Sequence, residues 1–222
     1  MSTSTSTANK PKLIFFEANI GAGKSTLVEK LQRCTDVQVI LEPVDVWKQT
    51  TDSKDKNILD YFYTDSKKYG YLFQSFAFLS RVNKLYDIRQ DVKYVFVERS
   101  IFSDKNIFAE NCYQHGMMDE IEWVIYNEWF KWADRTIGNY NHGFVYLECP
   151  PEECFRRIKE RSRTEEATVE LSYLQQLDDR HEEWFAKEER PVLRLNSLQN
   201  YRDDESVFDD FVKKITEFAE NM

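Results

Sequence analysis

The sequence of 222 residues lacks the features that mark several large classes of protein. No apolar run approaches the ~20 residues that a membrane-spanning helix requires. Basic residues are not in excess, because 30 Lys and Arg stand against 39 Asp and Glu and give a formal net charge of −9. That balance argues against non-specific nucleic-acid binding, although it leaves room for a small phosphorylated ligand in a local basic pocket.

The chain also lacks closely spaced cysteines and the marks of an export or import segment. Its four cysteines, Cys34, Cys112, Cys149 and Cys154, include no C-x-x-C pair, so we expect reduced thiols. The Ser/Thr-rich residues 1–9 have neither the apolar stretch of a secretory signal nor the arginines of a mitochondrial presequence. We predict a disordered polar tail over residues 1–11 and a cytoplasmic location, with organelle import as the alternative.

What the chain does have is an alternation of short apolar runs and longer helical patterns. The runs predict five strands at 13–16, 37–41, 94–97, 144–147 and 192–195. The helical spacing predicts helices at 25–33, 71–89, 119–135, 151–161, 170–189 and 203–220. We expect one α/β domain over residues 12–222, with a parallel sheet covered on both faces and ligands at the carboxyl ends of its strands. Two smaller domains are the alternative that the length leaves open.

The helical segment 119–135 is apolar almost all round. Its apolar side chains are Ile121, Trp123, Val124, Ile125, Tyr126, Trp129, Phe130 and Trp132. A helix with two apolar faces needs two partners, of which one can be the sheet. We expect the other to be a second copy of the chain, with a fully internal helix as the alternative.

The segment from Ala18 to Ser25 follows a predicted strand and opens a predicted helix. Its sequence, A-N-I-G-A-G-K-S, fits a phosphate-binding loop with Ala in place of the usual first Gly. Successive backbone N–H groups and a helix N-terminus form an anion site, and small residues let the phosphates approach. In this interpretation Lys24 reaches the outer phosphates and the Ser25 hydroxyl holds magnesium. An ordinary tight turn is the alternative.

Acidic and basic side chains stand at the ends of the next two strands. Glu42 follows the second strand and is a candidate general base, with a solvated strand-end glutamate as the alternative. Glu98 closes the third strand and is a candidate magnesium ligand, while Arg99 can neutralise a transferring phosphoryl group. The D-x-x-G and N/T-K-x-D motifs of a GTPase are absent from the sequence.

Three arginines surround the end of the predicted helix 151–161. Arg157 and Arg161 are four residues apart and share a face, and Arg163 follows in a polar segment. Their arrangement is typical of a lid that closes on a triphosphate. A solvated, salt-bridged helix end is the alternative.

Together these motifs resemble the deoxyribonucleoside kinase family, in the branch of the deoxycytidine, deoxyguanosine and deoxyadenosine kinases. The resemblance runs from about Lys12 to the C-terminus. Its motifs are E-x-N-I-x-x-G-K-S-T (17–26), E-P-V-x-x-W (42–47), F-Q-x-x-x-x-L-S-R (73–81), E-R-S-x-x-S-D (98–104) and R-x-R-x-E-E (161–166). The family implies a P-loop kinase fold with an arginine-rich lid, and ATP-dependent phosphorylation of the 5′-hydroxyl of a deoxyribonucleoside in nucleotide salvage.

The resemblance also implies a role for each motif residue at the reacting end. Glu42 resembles the base that takes the proton from the 5′-hydroxyl, and Arg99 resembles its partner. Glu98 and Ser25 resemble the magnesium ligands. The implied ATP-binding residues are Asn19, Ile20, Gly21, Ala22, Gly23, Lys24, Ser25, Thr26, Arg157, Arg161, Arg163 and Tyr201.

For the acceptor, the family implies a neutral sugar with a base attached. Tyr63 and Glu166 match the pair that binds the 3′-hydroxyl, and Gln74 matches the amide that reads the base edge. The other implied substrate contacts are Val44, Trp47, Leu59, Phe62, Phe73, Arg81, Arg99, Asp104, Phe108 and Glu42, with Ile20 lining the pocket. Ala77, Arg81 and Asp104 resemble the set that accepts cytosine and purines, whereas thymidine-preferring members carry apolar residues in place of the Arg–Asp pair. An Arg81–Asp104 pair is also expected to fix Gln74.

Two residues depart from the family pattern, Ala18 in the loop and Phe62 where close relatives carry Met. We expect triphosphate binding to survive the first and base preference to change with the second. A nucleoside monophosphate kinase is the alternative enzyme, and a nucleotide-sensing protein without catalysis is the alternative of another class. Tyr63, Gln74 and Glu166 suit an uncharged acceptor, and the presence of both Glu42 and Glu98 argues against the sensor.

Overall fold

The five predicted strands form one parallel sheet in the order β2-β3-β1-β4-β5. The computed structural model describes residues 10–34, 37–162 and 166–222. The strands are β1 (Lys12–Glu17), β2 (Val37–Ile40), β3 (Tyr94–Glu98), β4 (His142–Glu148) and β5 (Val192–Asn196). The predicted α/β architecture with a five-stranded parallel sheet is therefore confirmed.

Helices connect the strands and surround the sheet. They are α1 (Lys24–Leu31), α2 (Val44–Gln49), α3 (Ile58–Thr64), α4 (Ser66–Leu85), α5 (Ile101–Ser103), a π-helical segment (Asp104–Ala109), α6 (Glu110–Gln114), α7 (Glu120–Ile137), α8 (Pro151–Arg161), α9 (Leu171–Phe185) and α10 (Glu205–Asn221). The helix predicted at 71–89 begins earlier, because the Asp65 side chain accepts a hydrogen bond from the Lys68 amide and caps α4. The short helices α2, α3, α5 and α6 were missed, since one or two turns show little periodicity.

Both faces of the sheet are covered by apolar layers. Along the central strand β1, Leu13 and Phe15 belong to one buried cluster, and Ile14 and Phe16 belong to the cluster on the opposite face. All four side chains are essentially inaccessible to solvent. This double burial explains why β1 is a continuous apolar run, as expected for a parallel strand between two helical layers.

The first residue of β1 holds the end of the last helix. The Lys12 ammonium group donates to the backbone carbonyls of Ala219 (2.8 Å), Glu220 (3.0 Å) and Met222 (3.0 Å). Carbonyls at a helix C-terminus have no partners within the helix and carry partial negative charge, so a cation stabilises them. Lys12 thereby fixes α10 beside the amino end of the sheet.

Helix α7 buries only part of its apolar surface. Tyr126, Ala133 and Ile137 are buried against the core, whereas Ile121 and Trp129 remain 62% and 51% exposed. Apolar surface is therefore left exposed on α7, and its predicted contact with a second copy of the chain stays a prediction. No helix in the described ranges is long and apolar enough to cross a bilayer.

Residues 1–9 lie outside the described part of the chain, so the predicted tail over residues 1–11 stays a prediction. Cys34, Cys112, Cys149 and Cys154 form no disulfide in the described residues.

Candidate active site

A cleft of about 820 Å³ opens at the carboxyl edge of the sheet. Nearly all of the predicted site residues that the structure describes lie on its wall. These are Asn19, Ile20, Gly21, Gly23, Lys24, Ser25, Thr26, Glu42, Val44, Trp47, Leu59, Phe62, Tyr63, Phe73, Gln74, Ala77, Arg81, Arg99, Asp104, Phe108, Arg157, Arg161, Glu166 and Tyr201. Ala22 is buried within the loop, Glu98 is bonded to Lys24, and Arg163 is outside the described residues.

The predicted phosphate-binding loop (Ala18 to Ser25, the phosphate loop below) has its shape because of two glycines with positive φ. Gly21 has φ +83°, and a Cβ there would lie 2.6 Å from the Cys154 carbonyl oxygen. Gly23 has φ +99°, and a Cβ there would lie 2.2 Å from the Tyr201 hydroxyl. A Cβ at either position is disfavoured by backbone strain and by close contact. The loop then passes directly into α1 at Lys24, which presents a helix N-terminus to the cleft.

Lys24, Ser25 and Glu98 form a tight cluster beneath the loop. Glu98 Oε1 accepts from Lys24 Nζ (2.5 Å) and from Ser25 Oγ (2.6 Å), while Oε2 accepts from the Glu42 backbone amide (3.0 Å). Burial alone would raise the pKa of Glu98, but the Lys24 charge and these hydrogen bonds outweigh it and lower the pKa to about 2. The cluster therefore holds an ionised carboxylate and a hydroxyl side by side, which are oxygen ligands of the kind that Mg²⁺ binds.

Glu42 lies among three cations at the end of β2. Its Oε1 lies 2.9 Å from Arg81 Nη2 and 3.3 Å from Arg99 Nε, and its Oε2 lies 3.8 Å from Lys24 Nζ. Burial raises the pKa of Glu42, but the charges of Lys24, Arg99 and Arg81 outweigh this and lower it below the usual value. Glu42 is therefore ionised at neutral pH and keeps one oxygen with no close hydrogen-bond donor among the described residues.

Arg99 occupies a strained position between β3 and α5. Its φ of 62° is left-handed, which costs a residue other than glycine about 1–3 kcal/mol. The guanidinium donates to the Ala18 carbonyl (2.9 Å) and lies 4.7 Å from the centre of the Phe108 ring. The strained backbone thus directs a buried cation between the phosphate loop and Glu42 (3.3 Å from Arg99 Nε).

Arg81 and Asp104 form the expected pair. Arg81 Nε and Nη2 donate to the two carboxylate oxygens of Asp104 at 2.7 and 3.0 Å, and both side chains are buried. The same guanidinium donates to Glu42. It therefore links the predicted base-binding end of the cleft (the base end below), which contains Asp104, to the end that contains the predicted general base. The Asp104 and Glu42 charges outweigh the effect of burial and raise the pKa of Arg81, which stays protonated.

Aromatic rings and one amide shape the base end. Phe62 stacks on Phe73 with centroids 4.8 Å apart, and Trp47 meets Phe73 edge-on at 5.6 Å. The Gln74 amide donates to Cys112 Sγ at 3.7 Å, so its expected anchor, the Arg81–Asp104 pair, is not the partner that the structure records. A flat slot with one amide at its edge suits a planar base.

Tyr63 and Glu166 both line the cleft between these two ends. Burial, followed by the nearby Glu166 charge, raises the pKa of Tyr63, so the phenol stays protonated and able to donate. Glu166 is paired with Arg161. The two predicted sugar-binding side chains therefore share one wall with a predicted lid arginine.

The two described arginines of the predicted lid, Arg157 and Arg161, form hydrogen bonds and ion pairs within the protein. Arg157 donates to the carbonyls of Ala22 (2.9 Å) and Ser197 (3.0 Å) and pairs with Glu153 (2.7 Å). Arg161 pairs with Glu166 across residues 163–165, which are outside the described ranges. The predicted lid is not confirmed by this arrangement and stays a prediction.

The structure adds residues that the motifs did not indicate. Tyr173 of α9 lines the cleft, and so do the neighbours of the predicted Tyr201 in the loop from Ser197 to Asp203. In that loop the Tyr201 ring stacks on Phe211, and its hydroxyl donates to the Gly23 carbonyl (3.0 Å). The loop directly follows β5, and ligands of parallel sheets bind at the carboxyl ends of the strands, so its position could have been predicted. Tyr173 lies in an ordinary amphipathic helix and shows no such signal.

Comparisons with known proteins identify relatives over almost the whole chain. The family model described as deoxynucleoside kinase matches residues 14–220. A probable deoxycytidine kinase of fowlpox virus (strain NVSL) is 35% identical over 95% of this chain and 89% of the viral protein. The human deoxycytidine kinase is 33% identical over 99% of this chain and 95% of its own length. The human mitochondrial thymidine kinase 2 is 37% identical over 80% of this chain and 66% of its own length.

Proposed function

This chain belongs to the deoxynucleoside kinase family, and we propose that it transfers the γ-phosphoryl group of ATP to the 5′-hydroxyl of a deoxyribonucleoside in nucleotide salvage. The observation that carries the proposal is the position of Glu42. Its ionised carboxylate lies 3.8 Å from Lys24 of the phosphate loop and on the wall of a cleft that also contains an aromatic slot. A base placed between a donor site and an uncharged acceptor site is what this transfer requires.

In the proposed reaction Glu42 accepts the proton of the 5′-hydroxyl as the oxygen attacks the γ-phosphorus. Arg81 and Arg99 hold Oε1 of Glu42, which leaves Oε2 to face the acceptor. Arg99 and Lys24 stabilise the negative charge on the transferring group. Tyr63 and Glu166 bind the 3′-hydroxyl, and this fixes the direction of the 5′-hydroxyl.

The donor site combines the loop amides with side-chain cations. Arg157, Arg161 and Arg163 contribute to the donor site as a lid, and Tyr201 supports the loop at Gly23. Ser25 and Glu98 would hold Mg²⁺, and the hydroxyl and ionised carboxylate, 2.6 Å apart, fit that ion. Bound there, Mg²⁺ would supply charge neutralisation on the donor phosphates.

We propose a cytosine or purine base as the preferred acceptor base. The support is the buried Arg81–Asp104 pair, which supplies a carboxylate acceptor for an exocyclic amino group. Phe62 stacks on Phe73 and narrows the slot, so the ranking among deoxycytidine, deoxyadenosine and deoxyguanosine depends on that ring as well. A competition assay with the four natural deoxyribonucleosides gives the ranking directly.

Replacement of Glu42 tests the mechanism. Glu42→Gln keeps the shape but cannot accept a proton, so we expect kcat to fall by about 10²–10⁴-fold, the usual contribution of a general base. ATP binding, measured by calorimetry, should stay within a few-fold of the original. Turnover near the wild-type rate would eliminate Glu42 as the base.

Product analysis separates the two enzyme classes. We expect deoxycytidine to be converted to its 5′-monophosphate, and deoxycytidine monophosphate to be left unchanged. Formation of diphosphate from the monophosphate would instead favour a nucleoside monophosphate kinase.

We also propose that the enzyme is a homodimer built on the neighbouring helices α4 and α7. Seven exposed apolar side chains form this α4–α7 face: Leu72, Leu79, Ile121, Val124, Ile125, Trp129 and Trp132. An extended apolar patch on two packed helices suits a self-complementary contact with a second copy. Trp129→Glu should give a monomer in light scattering, while Val46→Glu, an exposed apolar site on α2, should leave the dimer intact. A monomeric wild-type chain would contradict the proposal.

The kinase domain is proposed to span residues 12–222, preceded by a polar tail over residues 1–11 in a cytoplasmic protein. A chain that begins at Lys12 should keep full turnover. Fluorescence microscopy of the tagged full chain tests the location, and accumulation in an organelle would contradict it.

A further inference from the structure

One buried acid belongs to the first motif but has no role in the proposed reaction. Glu17 is the last residue of β1, it directly precedes the phosphate loop, and it is fully buried. Burial raises the pKa of Glu17 to about 7, against the opposing charge of Arg99. Within the part of the chain that the structure describes, its Oε2 has no hydrogen-bond partner. Burial of a carboxyl group with an unpaired oxygen is unfavourable in free energy, so the presence of Glu17 at this position indicates a function.

The partner of Glu17 is the hydroxyl of Ser100. Ser100 Oγ donates to Glu17 Oε1 at 2.5 Å. The same oxygen accepts from the backbone amides of Phe102 (3.2 Å) and Ser103 (3.1 Å), which caps α5. Because a hydroxyl has one proton and two lone pairs, these three bonds use its full capacity. Glu17 therefore fixes the orientation of the residue that begins α5.

Ser100 directly follows the strained Arg99, and β1 holds both residues. The Phe16 carbonyl accepts from the Arg99 backbone amide (2.9 Å), and the Ala18 carbonyl accepts from its guanidinium (2.9 Å). Glu17 stands between them and holds Ser100. The consecutive residues Phe16, Glu17 and Ala18 thus bind Arg99 and Ser100, the two residues between β3 and α5. A left-handed backbone persists only where several surrounding contacts fix it in this way.

We propose that Glu17 is a positioning residue for phosphoryl transfer, which holds Ser100 and thereby keeps the Arg99 guanidinium between the phosphate loop and Glu42. The inference rests on the proposed function, because Glu17 acts only through Arg99. Glu17 itself touches neither substrate nor reacting atom in this assignment.

Two variants remove the hydrogen bond between Ser100 and Glu17, each by the loss of one partner. Glu17→Ala removes the acceptor, and Ser100→Ala removes the donor without a change of charge. A small misplacement of a catalytic group costs up to about a hundredfold in rate, so we expect kcat to fall by about tenfold to a hundredfold in each. KM for ATP and for deoxycytidine should stay within a few-fold. Glu17→Gln keeps an oxygen acceptor for Ser100 and should restore most of the activity.

The decisive measurement repeats Glu17→Ala in an Arg99→Ala background. If Glu17 acts through Arg99, its replacement should cause no further loss of kcat there. The same fold-loss in both backgrounds would overturn the inference. Wild-type turnover of Arg99→Ala alone would instead overturn the proposed role of Arg99, so the two failures are distinguishable.

Control measurements separate a positioning role of Glu17 from a general loss of folding. Glu148→Ala changes a glutamate at the end of the neighbouring strand β4, where it pairs with Arg194 outside the cleft, and should leave kcat unchanged. Circular dichroism and thermal melting report folding. If Glu17→Ala does not fold, a double-mutant cycle of Ser100→Ala and Arg99→Ala decides the inference, because Glu17 then stays in place.

Discussion

The two ends of the cleft are built in different ways. The end that is proposed to bind phosphates (the phosphate end) is formed by one continuous loop, whose shape follows from Gly21 and Gly23. Its proposed anion site consists of backbone amides. The base end is assembled from side chains on separate helices, with Gln74 and Arg81 on α4 and Asp104 on the π-helical segment. The phosphate end therefore depends on local backbone conformation, whereas the base end depends on packing between distant segments.

The largest effect is expected when the buried pair at the base end is broken on one side. Asp104→Ala leaves the Arg81 charge buried with Glu42 as its remaining carboxylate partner at 2.9 Å, so the free energy of unfolding should fall by about 3–5 kcal/mol. Urea unfolding measures the loss. The double variant Arg81→Met, Asp104→Ala should recover much of it and raise the ratio of thymidine to deoxycytidine turnover. A double variant as unstable as the single one would contradict this view of the base end.

A smaller loss is expected from one methyl group at the phosphate end. Gly23→Ala places a Cβ 2.2 Å from the Tyr201 hydroxyl at a φ of +99°, so kcat/KM for ATP should fall by at least about tenfold. Adding Tyr201→Phe removes the contacting oxygen but leaves the backbone strain, so it should restore only part of the loss. Complete recovery of kcat/KM would show that the contact with Tyr201 alone, and not the backbone conformation, prevents a Cβ at position 23.

The smallest change is expected per unit of pH, and it arises from two buried ionisable groups whose effects oppose each other, Glu17 at the end of β1 and His181 on α9. Burial raises the pKa of Glu17 from 4.5 to about 7, so the folded chain binds more protons than the unfolded chain between these values and is destabilised as pH rises. Burial, helped by the Arg99 charge, lowers the pKa of His181 from 6.5 to about 3, so stability falls as pH falls below 6.5. Each effect is at most about 1.4 kcal/mol per pH unit.

The two slopes oppose each other between pH 4.5 and 6.5, and single variants should separate them. Chemical unfolding of Glu17→Gln should show stability that falls more steeply with acid than in the wild type, and His181→Gln should fall less steeply. Parallel pH curves for all three proteins would contradict the assignment of these groups.

The same contrast explains how much could be predicted from the sequence. The loop at Ala18 to Ser25 and the strand-end Glu42 and Glu98 were predictable, because contiguous motifs and parallel strands bring them to one edge. The Cys112 partner of Gln74, the position of Tyr173 and the Gly23–Tyr201 contact were not, because each joins segments far apart in the chain. The resemblance to the family predicted that Gln74 and Asp104 bind the base, but it did not predict which residues they contact. It implied no role for Glu17.

The bond from Lys12 to the end of α10 has a practical consequence for engineering. It brings Lys12 and Met222, the two ends of the proposed kinase domain, to the amino edge of the sheet, whereas the cleft opens at the carboxyl edge. A tag, a surface tether or a fused reporter at either end would leave from the side opposite the substrates. A short linker between the two ends would also give a circular permutant whose new termini can be placed in a surface loop.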